Sequence, residues 1–400
     1  MKLDQDFLAR MREATQLLQT DGPAAATAAI QRALHGASMS DPQATDTAAP
    51  AQSGTLIDIN PAPVKPADTA PESATGILKR LRTPFRKYWT NTAPGSLAKD
   101  DAIDADVTEE GKGRFLSASC SNQAGTRTYK LYVPGSYDGQ ALPLIVMLHG
   151  CKQHPDDFAA GTDMNRMAEQ HHCFVVYPAQ ARAANGSNCW NWFNPHDQQR
   201  DRGEPSIIAD ITRQVMRDYR IDPSRVYVAG LSAGGAMAAV MGATYPELYA
   251  AVGIHSGLPY GAAHDVPSAF AAMKNGATSS AAKPAASGLQ SIPVIVFHGD
   301  RDTTVHLRNG EQVLAQSTAH AAPNDATVAV EKGQAPQGRA YTRTMRHDDT
   351  GKIVAEQWIV HGAGHAWSGG NRKGSYTDPT GPDASQEMLR FFYTHAKTVH

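Results

Sequence analysis

Gly230-Leu231-Ser232-Ala233-Gly234 stands between Val226-Tyr227-Val228-Ala229, an apolar β run, and Gly235-Ala236-Met237-Ala238-Ala239, a run of small helix-compatible residues. The five residues fit G-x-S-x-G in a strand–turn–helix context, which lifts a serine hydroxyl above the end of a sheet. Glycines two positions to either side remove Cβ atoms where strand and helix approach. The helix start adds unpaired N–H groups and a partial positive charge at the same point. The pattern by itself also occurs in ordinary glycine-rich turns. Its flanks make Ser232 the candidate nucleophile.

Outward from this turn, strands alternate with helices. Leu142 to Leu148, Phe174 to Tyr177, Arg225 to Ala229, Ala250 to Ile254, Ile292 to Phe297 and Ile353 to Val360 read as strands. Leu142 to Leu148 is continuously apolar, as in a strand covered on both faces. Thr128 to Val133 alternates, as in a strand with one wet face. Ile207 to Tyr219, Ala233 to Thr244 and Ala384 to Thr394 have helical spacing. This alternation predicts an α/β fold of the α/β-hydrolase type, a mostly parallel sheet flanked by helices. Residues 258–291, rich in Ala, Ser, Gly and Pro, are expected to form a long insertion that acts as a mobile flap.

A serine hydroxyl needs an imidazole to take its proton, and the imidazole needs a carboxylate to fix its tautomer. In this fold both follow the serine in the chain. The strand at Ile292 runs into His298-Gly299-Asp300-Arg301-Asp302. Asp302 is the preferred acid because it lies a few residues past the strand, where the loop can turn inward; Asp300 is read as a turn-former. The strand ending at Val360 runs into Gly362-Ala363-Gly364-His365-Ala366-Trp367. His365 is the candidate base, with His361 the fallback. His149 and His298 precede glycines and are read as structural. His154, His171, His172, His347, His395 and His400 are read as surface residues.

Ester cleavage puts negative charge on the carbonyl oxygen, so backbone donors must already point there. The N–H of Ala233 is one candidate and that of Cys151, in His149-Gly150-Cys151-Lys152-Gln153, the other. Gly150 lets the backbone come close. A bridge from Cys151 to Cys189 would pin this loop to Trp190 and Trp192; in a reducing compartment both would be free thiols. Trp190, Trp192 and Trp367 are candidate substrate-binding aromatics, with core packing the alternative for Trp192.

The chain has 400 residues, 41% of them hydrophobic, and a net charge of -2. The even balance gives no electrostatic case for nucleic acid. No stretch approaches the ~20 apolar residues of a membrane span. No C-x-x-C pair supports a metal site, and no cofactor is expected. Residues 1–35 are expected to form a helical segment and 36–110 a low-complexity linker with a basic strip, Lys79, Arg80, Arg82, Arg86 and Lys87. Residues 111–400 form the expected catalytic domain. Met1 to Thr20 lacks the basic start and apolar run of a secretory signal, so a cytoplasmic location is expected. Nothing in the sequence sets an oligomeric state.

Taken together, His149-Gly150-Cys151-Lys152-Gln153, Cys189-Trp190-Asn191-Trp192-Phe193, Gly230-Leu231-Ser232-Ala233-Gly234-Gly235, His298-Gly299-Asp300-Arg301-Asp302 and Gly364-His365-Ala366-Trp367 resemble the polyhydroxybutyrate depolymerase family of esterases. The likeness covers about residues 115–395, with the oxyanion segment before the serine, as in type 1 catalytic domains. It implies a Ser232, Asp302, His365 triad without metal or cofactor. It also implies a polyester or other ester as substrate, with a stored polyester granule as a partner surface. The chain departs from secreted members in having no signal and no C-terminal substrate-binding domain, and so looks like an intracellular relative. The same family name extends to feruloyl and acetylxylan esterases. An inactive granule-coat protein is the alternative of another class.

Overall fold

In a computed structural model of the chain, residues 113–277, 292–318, 327–336 and 338–398 are described. They belong to one of two compact units into which the chain divides. The expected N-terminal helical segment, linker and basic strip lie outside the described residues.

The centre of the sheet is β3 (Leu142–Leu148), buried along its whole length. Its alternate side chains feed two different cores. Leu144, Val146 and Leu148 enter one, and Ile145 and Met147 enter the other. That is why the run shows no polar alternation in sequence: both faces are covered. Four more parallel strands lie beside or beyond it, β4 (Phe174–Pro178), β5 (Ile221–Leu231), β6 (Ala251–His255) and β7 (Val294–Gly299). β10 (Ile353–Val360) continues them in parallel. β1 (Arg114–Asn122) and β2 (Gly125–Val133) form an antiparallel wing on one side. β8 (Thr327–Gln334) and β9 (Ala340–His347) form one on the other. The order is β1-β2-β4-β3-β5-β6-β7-β10-β9-β8.

Helices close both faces. α1 (Pro155–Thr162), α2 (Met164–His171) and α7 (Ala384–Tyr393) cover the core of Ile145 and Met147. α3 (Gly203–Asp218), α4 (Ala233–Thr244), α5 (Val266–Asn275) and α6 (Arg308–Ser317) cover the other. α7 begins at an Asp383 cap that accepts the Gln386 N–H and buries Met388, Leu389, Phe391 and Phe392. Phe392 stacks on Tyr227 of β5, ring centroids 4.8 Å apart.

The α/β expectation and the parallel centre are borne out. The expected flap is corrected over residues 258–277. Asp265 caps α5 through a reciprocal bond with Ser268. α6 and the turn before it then fix the helix: Asn309 Nδ2 donates to Ala272 O (2.9 Å) and His306 N to Met273 O (2.8 Å). Residues 278–291 lie outside the described residues. His395, expected at the surface, is buried, with Nε2 2.7 Å from Ile353 O and Nδ1 2.8 Å from Phe391 O.

Candidate active site

Because β3, β5, β6, β7 and β10 run parallel, the loops leaving their carboxyl ends share one edge of the sheet. Those loops carry Cys151, Ser232, Ser256, Asp302 and His365 respectively. Residues more than two hundred positions apart meet there for this reason alone.

Ser232 is the N-cap of α4, at φ 57° and ψ -118°. A non-glycine residue there is strained. The surroundings enforce it. Ser232 N donates to His255 O (2.9 Å) as the chain leaves the sheet. A Cβ on Gly230 would collide with the Gly234 carbonyl, and one on Gly234 with the Leu148 and His149 carbonyl oxygens. Only glycine lets strand and helix pass this closely. Ala233 is the first residue of α4, so its N–H is among those the helix leaves unpaired.

Asp302 and His365 are hydrogen-bonded, His365 Nδ1 lying 2.7 Å from Asp302 Oδ2. Asp302 Oδ1 accepts the N–H groups of Thr304 (2.9 Å) and Val305 (2.8 Å). Burial would raise the Asp302 carboxyl, but the His365 hydrogen bond and charge and the Val305 amide outweigh it and hold it below 3.8. A carboxylate can only accept, so Nδ1 carries the imidazole proton and Nε2 keeps its lone pair. Among the described residues no hydrogen bond joins Ser232 Oγ to His365. Such bonds often close only around substrate.

Asp300 takes another role. It accepts from His361 Nδ1 (2.9 Å) and the Gly362 N–H (2.7 Å). It thereby clamps the start of the loop that carries His365. His361 is thus bound to Asp300, away from Asp302. His298 is structural, as expected: it is fully buried and its Nε2–H donates to Val305 O at 2.7 Å.

The Cys151 loop is fixed by His149. Nδ1 lies 2.8 Å from Gly150 O, which can only accept, while Nε2 accepts the Gln180 N–H at 3.1 Å. Burial pulls this imidazole down to about 4, so it stays neutral. It holds the Gly150–Cys151 peptide by its oxygen and so turns the Cys151 N–H the opposite way. The Gly150 backbone lies against Ser232. Cys151 is joined to Cys189 by a disulfide. The bridge considered from sequence is therefore present.

The three tryptophans are a correction. Trp190 and Trp367 are enclosed completely and Trp192 is 6% exposed. Trp190 Nε1 donates to His149 O (3.1 Å) and Trp367 Nε1 to Ser385 Oγ (3.1 Å). Their large rings serve the core and anchor loops, and none is presented to a ligand.

Several residues at the site escaped the sequence reading. His255 sits beneath it, stacked on Trp367 at 5.1 Å. Its Nε2 accepts the Ser368 N–H at 2.9 Å, while its carbonyl holds Ser232 N. It thus ties the serine turn to the base loop, and burial drives it to about 3. Glu204, buried, accepts from Asn191 N (2.7 Å), Asn191 Nδ2 (2.8 Å) and Gln180 Nε2, fixing the loop that carries Cys189. Arg127 lies 3.6 Å away. No motif marked these residues; only their burial does.

The family model described as Esterase PHB depolymerase matches residues 127–338, more than half of the chain. The chain belongs to this esterase family. Among curated members of the PHB depolymerase group, poly(3-hydroxyalkanoate) depolymerase C of Paucimonas lemoignei is 33% identical over 254 residues, 61% of this chain and 59% of that protein. The chain therefore spans about three fifths of that relative's length. Feruloyl esterase B of Neurospora crassa is 29% identical over 296 residues, 68% of this chain and 89% of that one. The solved acetyl xylan esterase from Aspergillus awamori superposes with a TM-score of 0.55 at 20% identity, covering 73% of this chain and 99% of that one. That likeness supports the α/β-hydrolase fold.

Proposed function

We propose that this PHB depolymerase family member is a serine carboxylesterase that hydrolyses poly(3-hydroxybutyrate) or its oligomers. The observation that carries the reading is the Asp302–His365 hydrogen bond at the sheet edge where Ser232 occupies its strained turn. Ser232 Oγ attacks the ester carbonyl while His365 Nε2 takes its proton. The Cys151 and Ala233 amides receive the negative oxygen. Collapse breaks the bond to the alcohol, which leaves with the proton from His365, and the acyl group stays on Ser232. Water, deprotonated by His365, attacks that ester, and the acid departs as the proton returns to Ser232.

The test is purified enzyme against Ser232→Ala on amorphous poly(3-hydroxybutyrate), its oligomers and methyl ferulate. Loss of all esterase activity in a folded Ser232→Ala supports the reading; equal activity in mutant and parent refutes it. An inactive coat protein would show no activity in either. A feruloyl or acetylxylan esterase with the same triad is the second reading. It is favoured by the coverage of the Neurospora crassa feruloyl esterase, 89% of its length. Release of ferulate without release of hydroxybutyrate would select it.

Attachment to a polyester granule is proposed for residues 1–75. Their deletion should leave cleavage of soluble esters intact and reduce binding to granules; equal binding by the truncated chain rejects the idea. The location is also a proposal. A Cys151–Cys189 bridge is the kind kept in oxidising compartments, so it weighs against the cytoplasmic site expected from the sequence. Blocking thiols at lysis and measuring the oxidised fraction decides between them.

A further inference from the structure

With three tryptophans enclosed, a different aromatic residue is exposed, on the stretch that follows His365 and Trp367. Tyr376 is 43% exposed, and its backbone sits at φ 52°, where bulky residues are rare. Among the described residues its hydroxyl has no hydrogen-bond partner and its ring no aromatic or cation contact, so no polar or ring contact commits it to the fold. The backbone around it is nevertheless held firmly. Tyr376 O accepts the Trp367 N–H at 2.7 Å, and the next residue, Thr377, pairs with Trp367 in the two-residue strands β11 (Trp367–Ser368) and β12 (Thr377–Asp378). On the other side, Ser375 N and Oγ donate to the two Asp157 oxygens at 2.8 and 2.5 Å. Gln153 Nε2 donates to Ser375 O at 3.2 Å.

These anchors are also anchors of the active site. Gln153 Oε1 accepts the Gly150 N–H at 2.9 Å, and Gly150 lies against Ser232. Trp367 follows His365 by two residues. Tyr376 is therefore suspended between the loop of the base and the loop of Cys151. We propose that Tyr376 is a specificity-determining residue whose ring packs against the apolar flank of the ester beside the scissile bond. The proposal rests on the reading of Ser232 as nucleophile.

The experiment compares parent, Tyr376→Ala, Tyr376→Gly and Tyr376→Phe on methyl acetate, which has almost no flank, and on a 3-hydroxybutyrate trimer and methyl ferulate, which have long ones. Glycine accepts φ 52° without strain, so that variant removes the ring while easing the backbone. Tyr376→Ala and Tyr376→Gly should raise KM for at least one long ester by about five- to tenfold, as loss of one aromatic contact implies. Their kcat should stay within about twofold, acetate kinetics should not move, and Tyr376→Phe should match the parent. Response of the trimer alone identifies a hydroxyacyl chain as the occupant, and response of ferulate alone an aryl group. Unchanged KM on both long esters overturns the proposal while the Ser232 reading stands. An equal loss on the acetate overturns it too. Activity in the parent that survives Ser232→Ala defeats the nucleophile reading itself, and this inference with it.

Discussion

Asp302 and Asp300 differ by two positions in the same loop, yet they hold different histidines. Asp302 faces inward, where the Thr304 and Val305 amides and His365 converge on it. Asp300 faces the surface, where it secures His361 and Gly362. The consequence can be measured. Asp302→Asn keeps the shape but presents an amide where a carboxylate fixed the imidazole, so kcat should fall by about four powers of ten. Asp300→Asn removes only an outer clamp and should cost far less. A loss in Asp300→Asn as large as in Asp302→Asn would reverse the assignment. That Asp302 rather than Asp300 would meet His365 was legible in the sequence because an acid needs room past the strand to turn inward. His255 was not legible: it closes a strand as an ordinary residue, and its role depends on Ser368, over a hundred positions away.

At the scale of elements, strands with two covered faces and helices of small residues announced themselves. β3, α4 and β10 follow the apolar runs read from sequence. β8 did not, since nearly all its residues are exposed and no alternation marks it. The Ala- and Gly-rich segment before β7 looked like loop by composition, but its first part holds α5 through a cap and contacts with α6. Tertiary contacts prevailed there over weak local signals. The tryptophans failed for a related reason. A ring in a loop near a site reads as a binding surface, while its indole N–H reveals its true use only once an acceptor is seen. α7 closes one core with Phe391 and Phe392, both fully enclosed. Phe392→Ala should lower unfolding free energy by about 3–5 kcal/mol, measured by urea denaturation. A change below about 1 kcal/mol would mean that α7 is not integral to the core.

For the whole molecule, the buried histidines set a common acid limit. His149, His255, His298 and His395 are all pulled below their ordinary 6.5, in each case first by burial. An unfolded chain takes up those protons as pH falls through 6.5, and the folded chain does so only lower. Stability is therefore complete above about pH 6.5 and declines below it, by up to about 1.4 kcal/mol per pH unit for each histidine. Asp302, held below 3.8, adds a loss at still lower pH. The urea midpoint should hold steady from pH 8 to 7 and drop between about pH 6 and 4.5, with a shallower drop in His255→Gln. A flat midpoint across that range would contradict this reading of the buried imidazoles.

The tight passage between Gly230 and Gly234 has an evolutionary side. A turn with no space for one added methyl at Gly230 or Gly234 cannot be reshaped stepwise, because either substitution would move Ser232 itself. Change of ester preference is expected to come from the exposed stretch that carries Tyr376, leaving the serine turn as fixed hardware. Libraries built to retarget this scaffold should randomise that stretch and keep Gly230, Ser232 and Gly234 constant.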